Sequence, residues 1–217
     1  MSHEEKMIAF GPVPSRRLGK SLGINNIPPK ICTYSCIYCQ VGRTLDMQID
    51  REAFYSVDEI VQSVKKQVEE ARNKGEHIDY LTFVPDGEPT LDSNIGREIE
   101  LLKPLGIKIG VITNATLLWR EDVRDEIYGA DWVSVKIDAA GPDIWRKINR
   151  PHKTLDIGNI FEGISAFSQS FDGFLATETM LIDGINDRPD EFGKIAGFIS
   201  TINPSKSYLS IPTRPPA

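Results

Sequence analysis

Six short apolar runs alternate with amphipathic stretches of helical period, and no other feature of the 217-residue chain restricts its fold as much. The runs are "SLGINNI" (21–27), "HIDYLTFVP" (77–85), "IKIGVIT" (107–113), "WVSVKID" (132–138), "GFLATETMLI" (173–182) and "SYLSI" (207–211). Between the first two, "SVDEIVQSVKKQVEEARNK" opens on a capping box, Ser56 with Glu59 three residues on, and sets Ile60, Val64, Val68 and Ala71 on one face. Asp92 predicts the cap of a helix that reaches Leu102 and stops at Pro104-Leu105-Gly106. Further helices are predicted around 118–128, 154–169 and 189–201. Strands separated by helices of this length join as right-handed βαβ units in a parallel sheet. Six units predict a doubly wound sheet or an incomplete barrel, and 217 residues suffice for one substantial core. No linker, low-complexity stretch or second-domain boundary breaks the pattern. The chain stops at "IPTRPPA" directly after the sixth run, which suggests truncation or a sheet left open on one side.

All three cysteines, Cys32, Cys36 and Cys39, fall in one stretch, "KICTYSCIYCQVGRT" (30–44). The opening "MSHEEKMIAF" lacks the order of a secretion signal, and no apolar run approaches the ~20 residues of a membrane span. The expectation is a cytoplasmic protein with reduced thiols. Three cysteines form no closed disulfide set, so they are ligands or catalysts. Their Cx3Cx2C spacing suits a loop wrapped around one compact metal centre, and thiolates favour zinc or iron–sulfur chemistry. Structural zinc takes four protein ligands, so His3, His77 or His152 would have to supply the fourth, and none is close in sequence. A four-iron electron carrier takes four cysteines. Three thiolates on such a cluster leave one iron open to a substrate or cofactor.

In the fourth run, Val133, Val135 and Ile137 share one face, while Ser134, Lys136 and Asp138 share the other. Lys136 and Asp138 inside a barrel are costly unless paired or liganded, so they either line an occupied cavity or face water on an edge. The net charge of −6 argues against general attraction to DNA, RNA or an anionic membrane. Between Lys6 and Leu45, however, there is no acidic residue. Arg16, Arg17, Arg43 and Arg214 could clamp a phosphate or carboxylate, or simply lie on the surface.

The motif "CTYSCIYC", with aromatic Tyr38 before the last cysteine, resembles the signature of the radical S-adenosylmethionine (radical SAM) superfamily. "GPVPSRRLGKSLG", "CQVGRT" and "IPTRPP" resemble a group of small Fe–S oxidoreductases within it, related to the tRNA wyosine-base synthases. The resemblance implies a partial (β/α)6-type TIM barrel open on one side, residues 1–217 forming a single core with room for a C-terminal extension. It implies a [4Fe–4S] cluster on the three cysteines and S-adenosylmethionine bound at the free iron. Reductive cleavage would then yield a 5′-deoxyadenosyl radical that abstracts hydrogen from a substrate, which is a small molecule, a peptide, a partner enzyme or RNA. An external one-electron reductant, flavodoxin- or ferredoxin-like, is implied as partner. The cofactor contacts implied are Tyr38, then Gly87 and Glu88 of "PDGEPT", Thr113 and Asn114 of "VITNAT", and Lys136 and Asp138. Asp86 stands where the family usually has a first glycine. Glu178 joins the four arginines as a candidate substrate contact, its direction unreadable in "ATETM". A zinc-binding regulatory module is the alternative from a different class.

Overall fold

The computed structural model describes residues 7–213. Its strands, in chain order, are β1 (Ala9–Ser15), β2 (Gly19–Ile24), β3 (Ile31–Cys32), β4 (Asp46–Met47), β5 (Tyr80–Phe83), β6 (Lys108–Thr113), β7 (Trp132–Lys136), β8 (Phe174–Met180) and β9 (Lys206–Ser210). The α-helices are α1 (Val57–Asn73), α2 (Ile95–Leu102), α3 (Glu121–Ile127), α4 (Pro142–Asn149), α5 (Ile157–Ser170) and α6 (Pro189–Ile202). All six expected runs become strands. They lie side by side as β2-β5-β6-β7-β8-β9, mutually parallel, with β1 antiparallel on the outer side of β2. β1 and β9 end the sheet without pairing to each other, so the α/β barrel is incomplete and open on one side.

Alternation along the strands divides the sheet's two faces. Leu22, Ile24, Leu81, Phe83, Ile109, Val111, Val133 and Val135 enter the main core, with Ile60, Val64, Val68, Ile99 and Ile164 from the covering helices. Each such side chain contributes about 1.5–3 kcal/mol when fully buried. The inner face is small and polar where it is not plugged. Ser21 Oγ and Thr82 Oγ1 are 2.6 Å apart, while Leu18, Trp132 and Ala176 form a separate apolar plug.

The α1 capping box forms as read: Ser56 Oγ accepts from the Glu59 N–H at 3.2 Å, and Glu59 Oε2 accepts from the Ser56 N–H at 2.9 Å. Two expectations change. Asp92 does not cap α2, whose N-cap is Asn94; it closes the 3₁₀ turn Pro89–Leu91 and accepts the Asn94 N–H at 2.9 Å. The helix expected from 118 begins at Glu121, because 115–120 is taken up by turns. β1, β3, β4 and α4 have no counterpart among the elements that the sequence predicts. β1 carries Pro12 and Pro14, which only an edge strand tolerates. Among the described residues no helix is long and apolar enough to cross a membrane.

Candidate functional site: the cysteine loop at the strand ends

The cysteine loop leaves the C-terminal end of β2, the end at which barrels of this kind collect their chemistry. Two neighbouring segments hold it. On one side, Asp86 O accepts the Lys30 N–H at 2.7 Å and Ile31 O accepts the Glu88 N–H at 3.2 Å. Gly87 passes so close that a Cβ there would sit 2.0 Å from Ile31 O, so a side chain is sterically excluded. Asp86 is exposed and serves through its carbonyl, so the loop accommodates a side chain where a glycine was expected.

On the other side, the end of α4 and the residues after it run along the loop. Asn149 O accepts from Ser35 N at 3.0 Å, Ile148 O from Ile37 N at 2.9 Å, and Thr33 O from His152 N at 2.9 Å. Trp145 Nε1 donates to the Tyr34 hydroxyl at 2.7 Å beneath the loop.

Side-chain amides reach two of the three sulfurs. Asn114 Nδ2 lies 3.6 Å from Cys32 Sγ, and Asn149 Nδ2 lies 3.4 Å from Cys36 Sγ. Burial pushes the Cys36 thiol up to about 11, and burial together with the Glu88 charge pushes Cys32 higher still. Thiols so disposed are poor nucleophiles in the free protein; they become thiolates when a metal displaces the proton. The arrangement therefore suits ligands rather than catalytic thiols.

Among the described residues no three His, Cys, Asp or Glu side chains converge so as to hold a single ion. His152 lies against the loop through its main chain, but its ring Nδ1 is engaged 2.8 Å from Thr154 Oγ1. His77 pairs instead with Asp79 at 2.9 Å, and His3 lies outside the described residues. A cluster in which each thiolate has its own iron needs no such convergence, so the donor set fits the iron–sulfur reading.

The carboxylates expected to contact a cofactor are engaged by the protein itself. Glu88 is 1% exposed; its Oε1 accepts from Thr113 Oγ1 and Thr90 Oγ1, both at 2.6 Å, and its Oε2 accepts from Asn114 N at 2.7 Å. Burial nevertheless raises its pKa above the ordinary range, with these donors opposing. Asp138, also buried, accepts from the Tyr38 hydroxyl and from Asn149 Nδ2 (2.8 Å) at Oδ2, and from Met180 N (2.8 Å) at Oδ1. It ties β8, α4 and the cysteine loop together. Burial and the Asp138 charge hold the Tyr38 phenol protonated.

Lys136 and Glu178 occupy the inner face opposite each other, with Tyr208 next in register. That settles the direction of Glu178. Lys136 Nζ lies 4.0 Å from Glu178 Oε1 and 5.0 Å from the Tyr38 ring centre. Arg17 enters the same space from the β1–β2 turn and donates to Glu178 Oε1 at 2.5 Å, its guanidinium 5.2 Å from the Tyr208 ring.

Of the four arginines, the described three do not share one place. Arg16 and Arg17 occupy the turn at the start of β2, whereas Arg43 is exposed in the loop beyond its far end, and Arg214 lies outside the described residues. Sequence reasoning also missed Asn149, Thr33 and Thr116. Thr33 Oγ1 accepts from Asn114 Nδ2 at 2.7 Å and meets Thr116 Oγ1 at 2.8 Å. Nothing in the sequence marks these residues beyond a polar type near an element's end.

Known proteins share the sequence pattern and the fold. The model of the Radical SAM superfamily matches residues 26–199. A UPF0026 protein of Methanocaldococcus jannaschii is 53% identical over 97% of this chain, which spans 65% of that relative's length. A UPF0026 protein of Synechocystis is 36% identical over 95% of the chain and 76% of its own length. A solved structure of TYW1 with a lysine–pyruvate adduct bound superposes with a TM-score of 0.61 at 16% identity, covering 90% of this chain and 67% of that one, a likeness of fold.

Proposed function

The chain belongs to the radical SAM superfamily, whose cofactors are a [4Fe–4S] cluster and S-adenosylmethionine, and from that premise we propose that Cys32, Cys36 and Cys39 hold the cluster and that the protein is a hydrogen-abstracting radical enzyme. These three thiolates would hold the cluster, which would supply one-electron reduction of S-adenosylmethionine. The observation that carries this reading is the trio of thiols on one loop at the strand ends, two of them met by side-chain amide donors, one of which, Asn149, is buried.

The remaining roles belong to the chain's own side chains. Lys136, at the end of β7, presents its ammonium beside the Tyr38 ring, where it can receive the methionine carboxylate. Glu88 shapes its surroundings through Thr113 and Asn114, fixing the loop that approaches the cofactor's amino group. Gly87 keeps the main chain close to Ile31. Arg17 and Glu178 close the inner face below, where they position a polar substrate and exclude water. An external one-electron donor of flavodoxin or ferredoxin type delivers the reducing equivalent. The substrate is a small molecule, a peptide or RNA, and the extra length of the relatives would contribute to its choice.

The test is anaerobic reconstitution followed by reduction in the presence of S-adenosylmethionine. About four irons per chain and release of 5′-deoxyadenosine are expected, with Cys36→Ala abolishing the release. Full cleavage by that variant, or one zinc per chain in a colourless protein, would overturn the assignment.

A further inference from the structure

Ser35 and Ile37 flank Cys36, yet both of their N–H groups point to the carbonyls that end α4, at 3.0 and 2.9 Å. The Cys39 N–H is likewise turned back onto Cys36 O at 3.1 Å. These three main-chain amides are thus spent within the protein. Cys32 keeps a bond from the Tyr34 main chain and Cys36 one from the Tyr38 hydroxyl, and a side-chain amide reaches each as well, Asn149 at Cys36 and Asn114 at Cys32.

Asn149 is better placed than its residue type requires. It is 2% exposed, and a buried carboxamide must find partners. One amide reaches both Asp138 Oδ2 at 2.8 Å and Cys36 Sγ at 3.4 Å, so its N–H groups stand between a carboxylate and the sulfur that becomes a thiolate. The same residue's carbonyl holds Ser35 N, so main chain and side chain grip the loop together. Each of the two asparagines is followed by a residue in the left-handed region, Arg150 at φ 45° and Ala115 at φ 66°. Non-glycine residues seldom adopt that conformation, and it sharply turns the chain just after each amide.

We propose that Asn149 is a positioning residue for the cluster, fixing the Cys36 ligand and raising the cluster's reduction potential by donating to its sulfur, with Asn114 doing the same at Cys32. The inference rests on the iron–sulfur reading above. Hydrogen bonds to ligand sulfur withdraw negative charge and favour the more negative, reduced state. Without the Asn149 amide, the Asp138 carboxylate would face the Cys36 thiolate unscreened, and reduction would become harder.

The experiment is a potentiometric titration of the reduced-cluster EPR signal in reconstituted wild type, Asn149→Leu, Asn149→Asp and Asn114→Leu. The midpoint should shift negative in all three variants, furthest in Asn149→Asp, which adds an anion. A second measurement needs no variant. Pulsed EPR of the reduced wild-type protein labelled with ¹⁵N-asparagine should show coupling from amide nitrogen. A wild-type protein with no four-iron signal defeats the iron–sulfur reading itself. A wild-type cluster with unmoved potentials in iron-retaining variants overturns this inference alone. Should the variants lose iron, absence of ¹⁵N coupling in the wild type overturns it, and its presence supports it.

Discussion

Glu178 Oε1 accepts a hydrogen bond from Arg17 Nη2 at 2.5 Å, joining residues 161 positions apart and tying the β1–β2 turn to β8. Burial acts to raise the Glu178 carboxyl, but Lys136 and Arg17 outweigh it and hold the group below the ordinary range. A depressed folded value stabilises the fold above the ordinary carboxyl pKa, and that stability is lost as pH falls through the folded value.

Arg17→Ala leaves Glu178 with Lys136 at 4.0 Å and Ser210 Oγ at 3.2 Å. The pair is partly solvated, Arg17 being 24% exposed, so the expected cost is about 1–2 kcal/mol rather than that of a fully buried pair. Urea denaturation at pH 7 measures it. The variant should also lose part of the wild type's acid sensitivity below about pH 4.5.

Gly87→Ala places a methyl against Ile31 O, one residue before the first cysteine. Main-chain atoms on both sides must move, which costs about 1–3 kcal/mol in a packed setting. We expect a lower urea midpoint together with fewer irons per chain after reconstitution. Wild-type values for both would show that the 86–88 turn is not pressed against the cysteine loop.

Asp138→Ala removes the acceptor of three donors, the Tyr38 hydroxyl, Asn149 Nδ2 and Met180 N. Buried donors left unpaired cost about 1–3 kcal/mol each before relaxation, so stability and iron retention should both fall. Lys136→Ala touches no sulfur and should keep its iron while losing affinity for S-adenosylmethionine. Equilibrium dialysis with iron counting on both variants separates the two roles.

Glu98, fully buried in α2, has no protein donor to either carboxylate oxygen among the described residues. Burial and the Asp92 charge push it up to about 9, and burial pushes Asp92 up to about 6. With folded values raised, the native state binds more protons than the unfolded chain, so stability falls as pH rises from about 5 to 9. Glu98→Gln keeps the shape and gives Asp92 an N–H. Its urea midpoint should decline less between pH 6 and 9 than that of the wild type; equal declines would show that the Glu98 carboxyl does not set this pH dependence.

Much of this fold is legible in the sequence because the central parallel strands β5, β6, β7 and β8 are largely buried and read as short, self-contained runs rich in apolar residues. β1 escaped because Gly11, Pro12 and Pro14 read as a turn, whereas an edge strand accepts them. α4 escaped because eight residues with Ile144, Trp145 and Ile148 give too short a period to separate from a loop. The cysteines announced themselves by spacing. Asn149 could not, since its value lies in meeting Cys36 across 113 residues, a contact that only topology creates. Asp92 misled for a local reason: an aspartate before a helix reads as a cap, and here a 3₁₀ turn had already claimed it.

The central claim is that one iron of the bound cluster lacks a protein ligand and is reserved for the nucleotide cofactor. EPR of the reduced, reconstituted protein, recorded before and after addition of S-adenosylmethionine, tests it most directly. The account predicts a change in the cluster's g-values on addition; a spectrum identical in both conditions, with the cluster fully assembled, would contradict it.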